Sequence, residues 1–183
     1  MSKHLQTIRQ AAKYQDGIFA TFQVDVPGDA LHYHTETGKL ERIQTGIYRL
    51  TDRPVSDHEE YIVAVLWSRE EGVLSHQTAL SIHGLSDVLP KQIHLTVPEH
   101  WRQKRRQIPK HYRLHYADLE DDQLQWFEAV QITTVDRTLK DVAAAGLDPD
   151  LVEQALDQAM DRSLVPPDMD RRLLRYLISK NAR

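Results

Sequence analysis

The chain has 183 residues, of which 40% are hydrophobic and 27% charged, a balance typical of a folded globular protein rather than a disordered one. It contains no cysteine, which excludes disulfides and cysteine-ligated zinc. The formal net charge of -4 argues against general affinity for nucleic acid, so any DNA binding must come from local patches.

Residues 1–54 begin with a pattern that predicts three helices. Apolar residues recur at helical spacing in SKHLQTIRQAAKYQ, which indicates the first helix. Thr21 is expected to cap a short second helix. Asp29 is expected to cap a third helix, which ends at Gly38.

A tight β-hairpin is predicted directly after the third helix. Its strands are the short apolar-polar runs LERI and GIYRL, separated by Gln44 and Thr45. Gly46 is available for the positive φ that such a turn requires. Helices joined by a turn and followed by a hairpin are typical of a winged helix-turn-helix domain. In that domain the last helix enters the major groove of DNA and the hairpin contacts the backbone or minor groove.

The polar segment TDRPVSDHEE, residues 51–60, predicts a linker. We therefore predict a winged helix-turn-helix domain over residues 1–54 and an α+β domain with a small sheet and C-terminal helices over residues 57–183. Up to Pro54 the chain has seven Lys/Arg against six Asp/Glu, and the remainder has sixteen against twenty-one. The overall charge of either domain therefore gives DNA binding little help.

The second part of the chain mixes helix and strand patterns. Ser75 is expected to cap the helix HQTALSIH, which Gly84 ends, and Asp148-Pro149 to start the helix DLVEQALDQAMD. The predicted strands are QIHLTVP, YRLHY and VQITT. The other predicted helices are EEYIVAVLWSRE, DRTLKDVAAAG and DMDRRLLRYLISK.

The third predicted helix has two different faces. Its inner side, expected to pack on the first two helices, carries Leu31, His34 and Thr35. The opposite side would face DNA, although Asp29 and Glu36 on that side repel phosphate. The predicted base contacts are His32, Tyr33 and Glu36. The predicted contacts to the DNA backbone are Thr21, Lys39, Arg42, Gln44, Thr45 and Arg49.

Two blocks of the sequence resemble a known family. The run GKLERIQTGIYRL, with the preceding GIFATFQVDVPGDALHYH, is similar to the N-terminal winged-helix domain of the AbiEi-type antitoxins of type IV toxin–antitoxin systems. The runs HQTALSIHGLSDVLPKQIHLTVP and ITTVDRTLKDVAAAG resemble the C-terminal antitoxin region of that family. The resemblance implies binding to the promoter of the protein's own operon, autorepression, and neutralisation of a nucleotidyltransferase-type toxin. The third helix departs from a strong operator-binding pattern because it lacks arginine.

The segment WRQKRRQIPKHYR, residues 101–113, is the densest positive patch in the sequence. It is interpreted either as a solvated loop between two strands or as an additional contact to phosphate or a partner. Its cations are Arg102, Lys104, Arg105, Arg106, Lys110 and Arg113.

Ten histidines raise the question of a metal site. His76 and His83 share a helix face, and His111 and His115 share a strand face, but there is no HExxH motif and no acidic ligand at a characteristic spacing. The chain also lacks a GxSxG motif and a glycine-rich phosphate loop. We therefore expect no metal, no cofactor and no enzymatic activity.

The sequence as a whole predicts a DNA-binding antitoxin and repressor of its own promoter, acting as a monomer or a homodimer. No run of roughly 20 apolar residues is available to span a membrane, and the N-terminus has no signal-peptide pattern, so we expect a soluble cytoplasmic protein. Two alternatives remain. One is a stand-alone transcription regulator without a toxin partner, and the other is a module that uses the winged helix to bind a protein.

Overall fold

The structure, a computed structural model, describes residues 2–103, 107–166 and 179. The chain divides into two compact units, Met1–Glu71 with Glu128–Val130, and Gly72–Phe127 with Gln131–Arg183. The division falls later than the linker predicted from sequence at residues 51–60. The reason is that the helix after that segment packs on strands of the first unit.

The first unit contains three helices and a small sheet. The helices are α1 (Lys3–Ala11), α2 (Gly28–Glu36) and α3 (Glu59–Trp67), and the strands are β1 (Ile18–Ala20), β2 (Leu40–Gln44) and β3 (Ile47–Leu50). The sheet is antiparallel with strand order β1-β3-β2. β2 and β3 form the predicted hairpin, and Gly46 in its turn has a φ of +76°. Strand β1 was not predicted, because three residues are too few to show an alternating pattern.

One apolar cluster holds the first unit together. It joins α1, α2 and the sheet through residues that are at most 7% exposed, and it consists of Leu5, Ile8, Ala12, Phe19, Leu31, Leu40 and Leu50. Leu5 and Ile8, the apolar residues at helical spacing within α1, are therefore both buried. Burial of this apolar area is the main contribution to the stability of the unit.

Two helix starts differ from the sequence prediction. The short second helix is a single 3-10 turn, Thr21–Gln23, in which Thr21 is the first residue and not the cap. Instead, the Gln23 side chain accepts a hydrogen bond from the Ala20 N–H at 2.8 Å. Helix α2 begins at Gly28 after Pro27, and Asp29 lies in its first turn, where a negative charge favours the helix dipole.

The second unit contains a five-stranded sheet and three described helices. The strands are β4 (Val73–Leu74), β5 (Ile93–Val97), β6 (Tyr112–Tyr116), β7 (Leu124–Phe127) and β8 (Val130–Thr133), in the order β6-β5-β4-β8-β7. The helices are α4 (His76–Ile82), α5 (Val135–Ala144) and α6 (Pro149–Asp161). Strands β5 and β6 are parallel, as are β4 and β8, while β4 and β5 are antiparallel. The fold class is therefore α+β, as predicted.

The three helices of the second unit share one apolar core. Its fully buried members include Leu80 of α4, Leu139 of α5 and Ala155 of α6. Helix α6 starts as predicted, with Pro149 in its first turn and the Asp148 side chain accepting a hydrogen bond from the Asp150 N–H at 2.9 Å. The predicted helix DMDRRLLRYLISK lies outside the described residues apart from Ser179. Among the described residues, no helix is both long enough and apolar enough to cross a membrane.

Candidate functional site

The two faces of α2 differ in burial as the sequence predicted. Leu31 and His34 are buried, at 5% and 3% exposure. On the opposite side, His32 and Glu36 are exposed, and Tyr33 is 59% exposed although it is a large aromatic residue. The outer face of α2 therefore presents one aromatic side chain among polar ones.

Buried His34 links α2 to the N-terminus of α1. Its Nε2 lies 3.3 Å from the Ser2 hydroxyl, and the same hydroxyl accepts a hydrogen bond from the Leu5 N–H. Burial lowers the pKa of His34, with further contributions from Lys39 and His4. Neutral His34 therefore packs the inner face of α2 against the start of α1. His32 and Tyr33, on the outer face, remain exposed.

The β2–β3 hairpin brings further predicted residues next to α2. Lys39, Arg42 and Thr45 are exposed, and Gln44 is half-buried. Thr21 is also exposed, and its backbone N–H donates to the carbonyl oxygen of Gly46 at 2.8 Å. The 3-10 turn that begins at Thr21 therefore lies beside the tip of the hairpin.

Arg49 has a different environment from the other predicted cations. Its Nη1 lies 2.7 Å from Glu59 Oε2 on α3, and its Nη2 donates to Glu41 on the neighbouring strand. The side chain of Arg49 is only 14% exposed. The hydrogen bond to Glu41 is the main cause of the raised pKa of Arg49, and Glu59 adds to it. Two carboxylates thus hold this guanidinium, whereas the sequence predicted that it would be available to phosphate.

The basic segment 101–113 is only partly described. Arg102 donates from Nε to Glu99 at 2.5 Å, and its guanidinium lies 4.6 Å from the centroid of the Tyr116 ring. Lys110 and Arg113 are exposed. Lys104, Arg105 and Arg106 lie outside the described residues. Of the cations predicted to form the patch, Arg102 is therefore paired within the protein.

The second unit contains a cluster of three histidines that the sequence did not predict. The ring centroids of His76 and His115 are 3.3 Å apart with an interplanar angle of 12°, and those of His94 and His115 are 5.1 Å apart. His94 Nδ1 and His115 Nε2 are within hydrogen-bonding distance at 3.0 Å. The three rings therefore form one stacked group in which two nitrogens bond to each other.

Ser75 connects this histidine cluster to the sheet. Its hydroxyl lies 3.0 Å from His76 Nδ1 and accepts a hydrogen bond from Thr96 Oγ1 at 2.7 Å. Ser75 was predicted to cap α4, and it does precede that helix, but its side chain makes no capping hydrogen bond. The competing hydroxyl of Thr96 and the imidazole of His76 account for the difference.

Burial keeps the histidine cluster neutral near pH 7. Burial, with smaller contributions from His115, His94, Arg137 and Arg113, lowers the pKa of His76 to about 2. It also lowers the pKa of His94 and of His115 to about 4 each. Burial raises the pKa of Asp141, while Arg137 acts in the opposite direction.

Strand register explains why the sequence did not reveal this cluster. In the β5–β6 pair, His94 lies opposite Arg113 and Thr96 opposite His115, so the polar residues of both strands share one face. The sequence showed that QIHLTVP and YRLHY alternate as strands do. It did not show that these two strands pair with each other or that they lie beside His76. In the part of the chain that the structure describes, no three His, Asp or Glu side chains are placed to hold a metal ion.

Comparison with known proteins adds information about the fold alone. No protein-family model and no curated protein matches the chain. The crystal structure of the RV2827C protein from Mycobacterium tuberculosis is similar, with a TM-score of 0.52 and 14% sequence identity, over 100% of this chain and 78% of the other. At this identity the similarity concerns architecture and carries no information about activity.

Proposed function

We propose that the first unit is a winged helix domain that binds double-stranded DNA. The observation that carries the proposal is the element order around α2. An exposed polar helix is followed at once by a hairpin whose second strand lies at the centre of the sheet, in the order β1-β3-β2. In winged helix proteins the helix in this position enters the major groove and the hairpin reaches the backbone.

The outer face of α2 supplies groups suited to base edges. His32 and Tyr33 can donate or accept hydrogen bonds, and Glu36 can accept one from the amino group of cytosine. All three are exposed, while Leu31 and His34 of the same helix are buried. The helix can therefore approach a groove without losing its packing on α1.

The contacts to DNA phosphates come from fewer cations than the sequence predicted. Lys39 and Arg42 are exposed and have no ion pair among the described residues. Thr21, Gln44 and Thr45 add hydrogen-bonding groups near the hairpin tip. Arg49 is omitted from the proposed interface because Glu41 and Glu59 already neutralise it.

This charge distribution argues for paired binding sites. Lys39 and Arg42 attract DNA phosphates, but the equally exposed Asp29, Glu36 and Glu41 repel them. Because neutralisation of phosphates dominates the affinity of DNA-binding proteins, one such domain binds weakly. Two copies on an inverted repeat, either as a homodimer or as two monomers, would add their binding energies.

We further propose that the protein is an antitoxin that represses its own promoter and counteracts a nucleotidyltransferase-type toxin encoded nearby. This step rests on the resemblance of GKLERIQTGIYRL and HQTALSIHGLSDVLPKQIHLTVP to AbiEi-type antitoxins. Co-expression of the chain with the neighbouring toxin gene should restore growth. Arg42→Ala should lose repression but keep the rescue of growth, since that change is confined to the DNA-binding unit.

DNA binding is tested by titrating DNA taken from just upstream of the protein's own gene. Arg42→Ala and Lys39→Ala should weaken binding similarly on all sequences and reduce the salt slope of the logarithm of affinity by about one unit each. Lys13→Ala is the matched control, because Lys13 is an exposed cation of the same unit that lies over the Tyr14 ring. An unchanged salt slope in both test variants would remove these cations from the interface.

A protein-binding module is the second candidate function. Exposed Asp29 and Glu36 on the same face as Tyr33 favour a basic protein partner over DNA. The two functions differ in one measurement. A protein-binding module should show no salt-dependent retention of either promoter or unrelated DNA at low ionic strength, whereas a winged helix repressor should retain both and prefer the promoter.

A further inference from the structure

A pocket of about 530 Å³ lies beside the histidine cluster of the second unit. Its walls come from the start of α4, from β6, from α5 and from the segment that carries Arg102. The polar lining residues that matter here are His76, Arg102, His115, Tyr116, Arg137 and Asp141. The concentration of hydrogen-bonding groups in one concave site indicates a polar ligand.

His76 occupies an unusual backbone conformation at the edge of this pocket. Its φ is +51°, a left-handed value that residues other than glycine rarely adopt, and it is the first residue after the β4–Ser75 junction. Ser75 accepts a hydrogen bond from Thr96, so its own hydroxyl hydrogen can be donated to His76 Nδ1. Neutral His76 then carries its proton on Nε2, for which no described residue supplies a partner.

Asp141 contributes an unsatisfied acceptor to the same pocket. Its Oδ1 accepts a hydrogen bond from Arg137 Nε at 2.8 Å. Its Oδ2 is buried, has no hydrogen-bond partner among the described residues, and lies 4.0 Å from His76 Nδ1. A buried carboxylate oxygen without a donor is unfavourable, so a ligand that brings a hydrogen to this oxygen stabilises the site.

The charges around the pocket favour an anion. Arg102 and Arg137 line the pocket, and Arg113 lies near enough to His76 and His115 to lower their pKa values, while Asp141 also lines the pocket and Glu99 pairs with Arg102. Arg137 uses Nε for Asp141 and Nη1 for Gln123, at 2.7 Å, which leaves the donors of Nη2 for a ligand. A ligand that is negative and also donates one hydrogen bond would fit both the remaining donors of Arg137 and the unpaired oxygen of Asp141.

We propose that this pocket binds a phosphate group that carries one proton. The phosphate oxygens accept hydrogen bonds from Arg137 and from Nε2 of His76, and the P–OH group donates to Oδ2 of Asp141. Sulfate has the same shape and charge as hydrogen phosphate but has no O–H to donate, so the carboxylate of Asp141 would repel it. The same chemistry is present in inorganic phosphate and in a protonated phosphate monoester.

Calorimetric titration of the whole protein with phosphate and with sulfate tests this proposal. Wild-type protein should bind phosphate at least about tenfold more tightly than sulfate, because only phosphate satisfies Asp141. Asp141→Asn replaces the acceptor with a donor and should abolish or reverse that preference. Adenosine monophosphate, titrated alongside, distinguishes the two sources: tighter binding than inorganic phosphate indicates a monoester ligand, and weaker binding indicates inorganic phosphate itself.

Asp136→Asn is the matched control, since Asp136 lies on the same helix and pairs with Lys140 near the surface. It should leave the preference for phosphate unchanged. Equal affinity for the two anions in the wild type, or no heat from phosphate at all, overturns the proposal. If Asp141→Asn does not fold, the comparison of phosphate with sulfate on the wild-type protein still tests the proposal.

Histidine ring resonances in NMR spectra locate the binding site. His76→Gln identifies the resonances of His76 by removing them, and phosphate should shift those resonances in the wild type. A shift confined to other histidines would contradict the proposed site.

Discussion

The imidazole rings of His76 and His115 stack with their centroids 3.3 Å apart, and His115 in turn lies within hydrogen-bonding distance of His94. Three imidazoles in this arrangement cannot all be protonated, because like charges at such short distances repel strongly in a medium that excludes water. The second unit therefore depends on the neutral state of its histidines.

Acidification should destabilise the second unit. The pKa of His76 is lowered to about 2, and those of His94 and His115 to about 4, whereas an unfolded histidine titrates near 6.5. The stability that the neutral rings contribute is complete above the unfolded pKa and is lost as the pH falls from about 6.5 towards 4 for His94 and His115, and towards 2 for His76. Urea unfolding should show a loss on the order of a few kcal/mol by about pH 5.

Two substitutions assign that pH dependence to the cluster. His115→Gln removes one titrating ring and should make the free energy of unfolding less dependent on pH. His111→Gln is the control, because His111 is exposed and lies outside the stacked group. Asp141, whose raised pKa acts in the opposite sense, is present in both variants. An equal pH dependence in the two variants would contradict the assignment.

Arg49 should matter for stability and not for DNA binding. Arg49→Met leaves Glu41 and Glu59 facing each other without their shared cation. We expect the free energy of unfolding to fall by about 1–3 kcal/mol, because the pair to Glu59 is largely shielded from solvent. At a temperature where the variant is still folded, its salt slope for DNA should equal that of the wild type, in contrast to Arg42→Ala.

Substitutions on the two faces of α2 should affect stability and DNA affinity differently. Leu31→Ala deletes a side chain that is 5% exposed and should lower stability by about 2–5 kcal/mol. Tyr33→Ala removes one that is 59% exposed and should change stability by no more than about 0.5 kcal/mol. DNA affinity should nevertheless fall by about 1 kcal/mol in Tyr33→Ala. Unchanged affinity in that variant would exclude Tyr33 from the interface.

The hairpin turn should tolerate no side chain at Gly46. This residue has a φ of +76°, and a Cβ there would lie 3.3 Å from the Thr21 hydroxyl. Gly46→Ala should lower the melting temperature, corresponding to about 1 kcal/mol or more. Gly28→Ala should raise it slightly, by about 0.4–1 kcal/mol, since nothing lies within 4 Å of the added carbon. A lower melting temperature in both variants would mean that the left-handed backbone of Gly46 is not the cause of the loss.

Most of the helices and turns that were predicted correctly depend on local sequence signals. The inner and outer faces of α2, the hairpin turn at Gly46 and the start of α6 at Asp148-Pro149 were all predicted correctly. Each depends on interactions between residues a few positions apart, which the sequence displays directly. Strands β1, β4 and β7 were missed because segments of two to four residues show little periodicity, and β1 and β4 form only through pairing with distant strands.

The sequence by itself determined the α+β class, the polar outer face of α2 and the exposed cations Lys39 and Arg42, because helical and strand periodicity is a property of neighbouring residues. Tertiary structure alone decided that Glu59 would neutralise Arg49 and that His76, His94 and His115 would meet beside Asp141. Charge pairing and strand register join residues far apart in the chain. Only the packed fold fixes which of them come together.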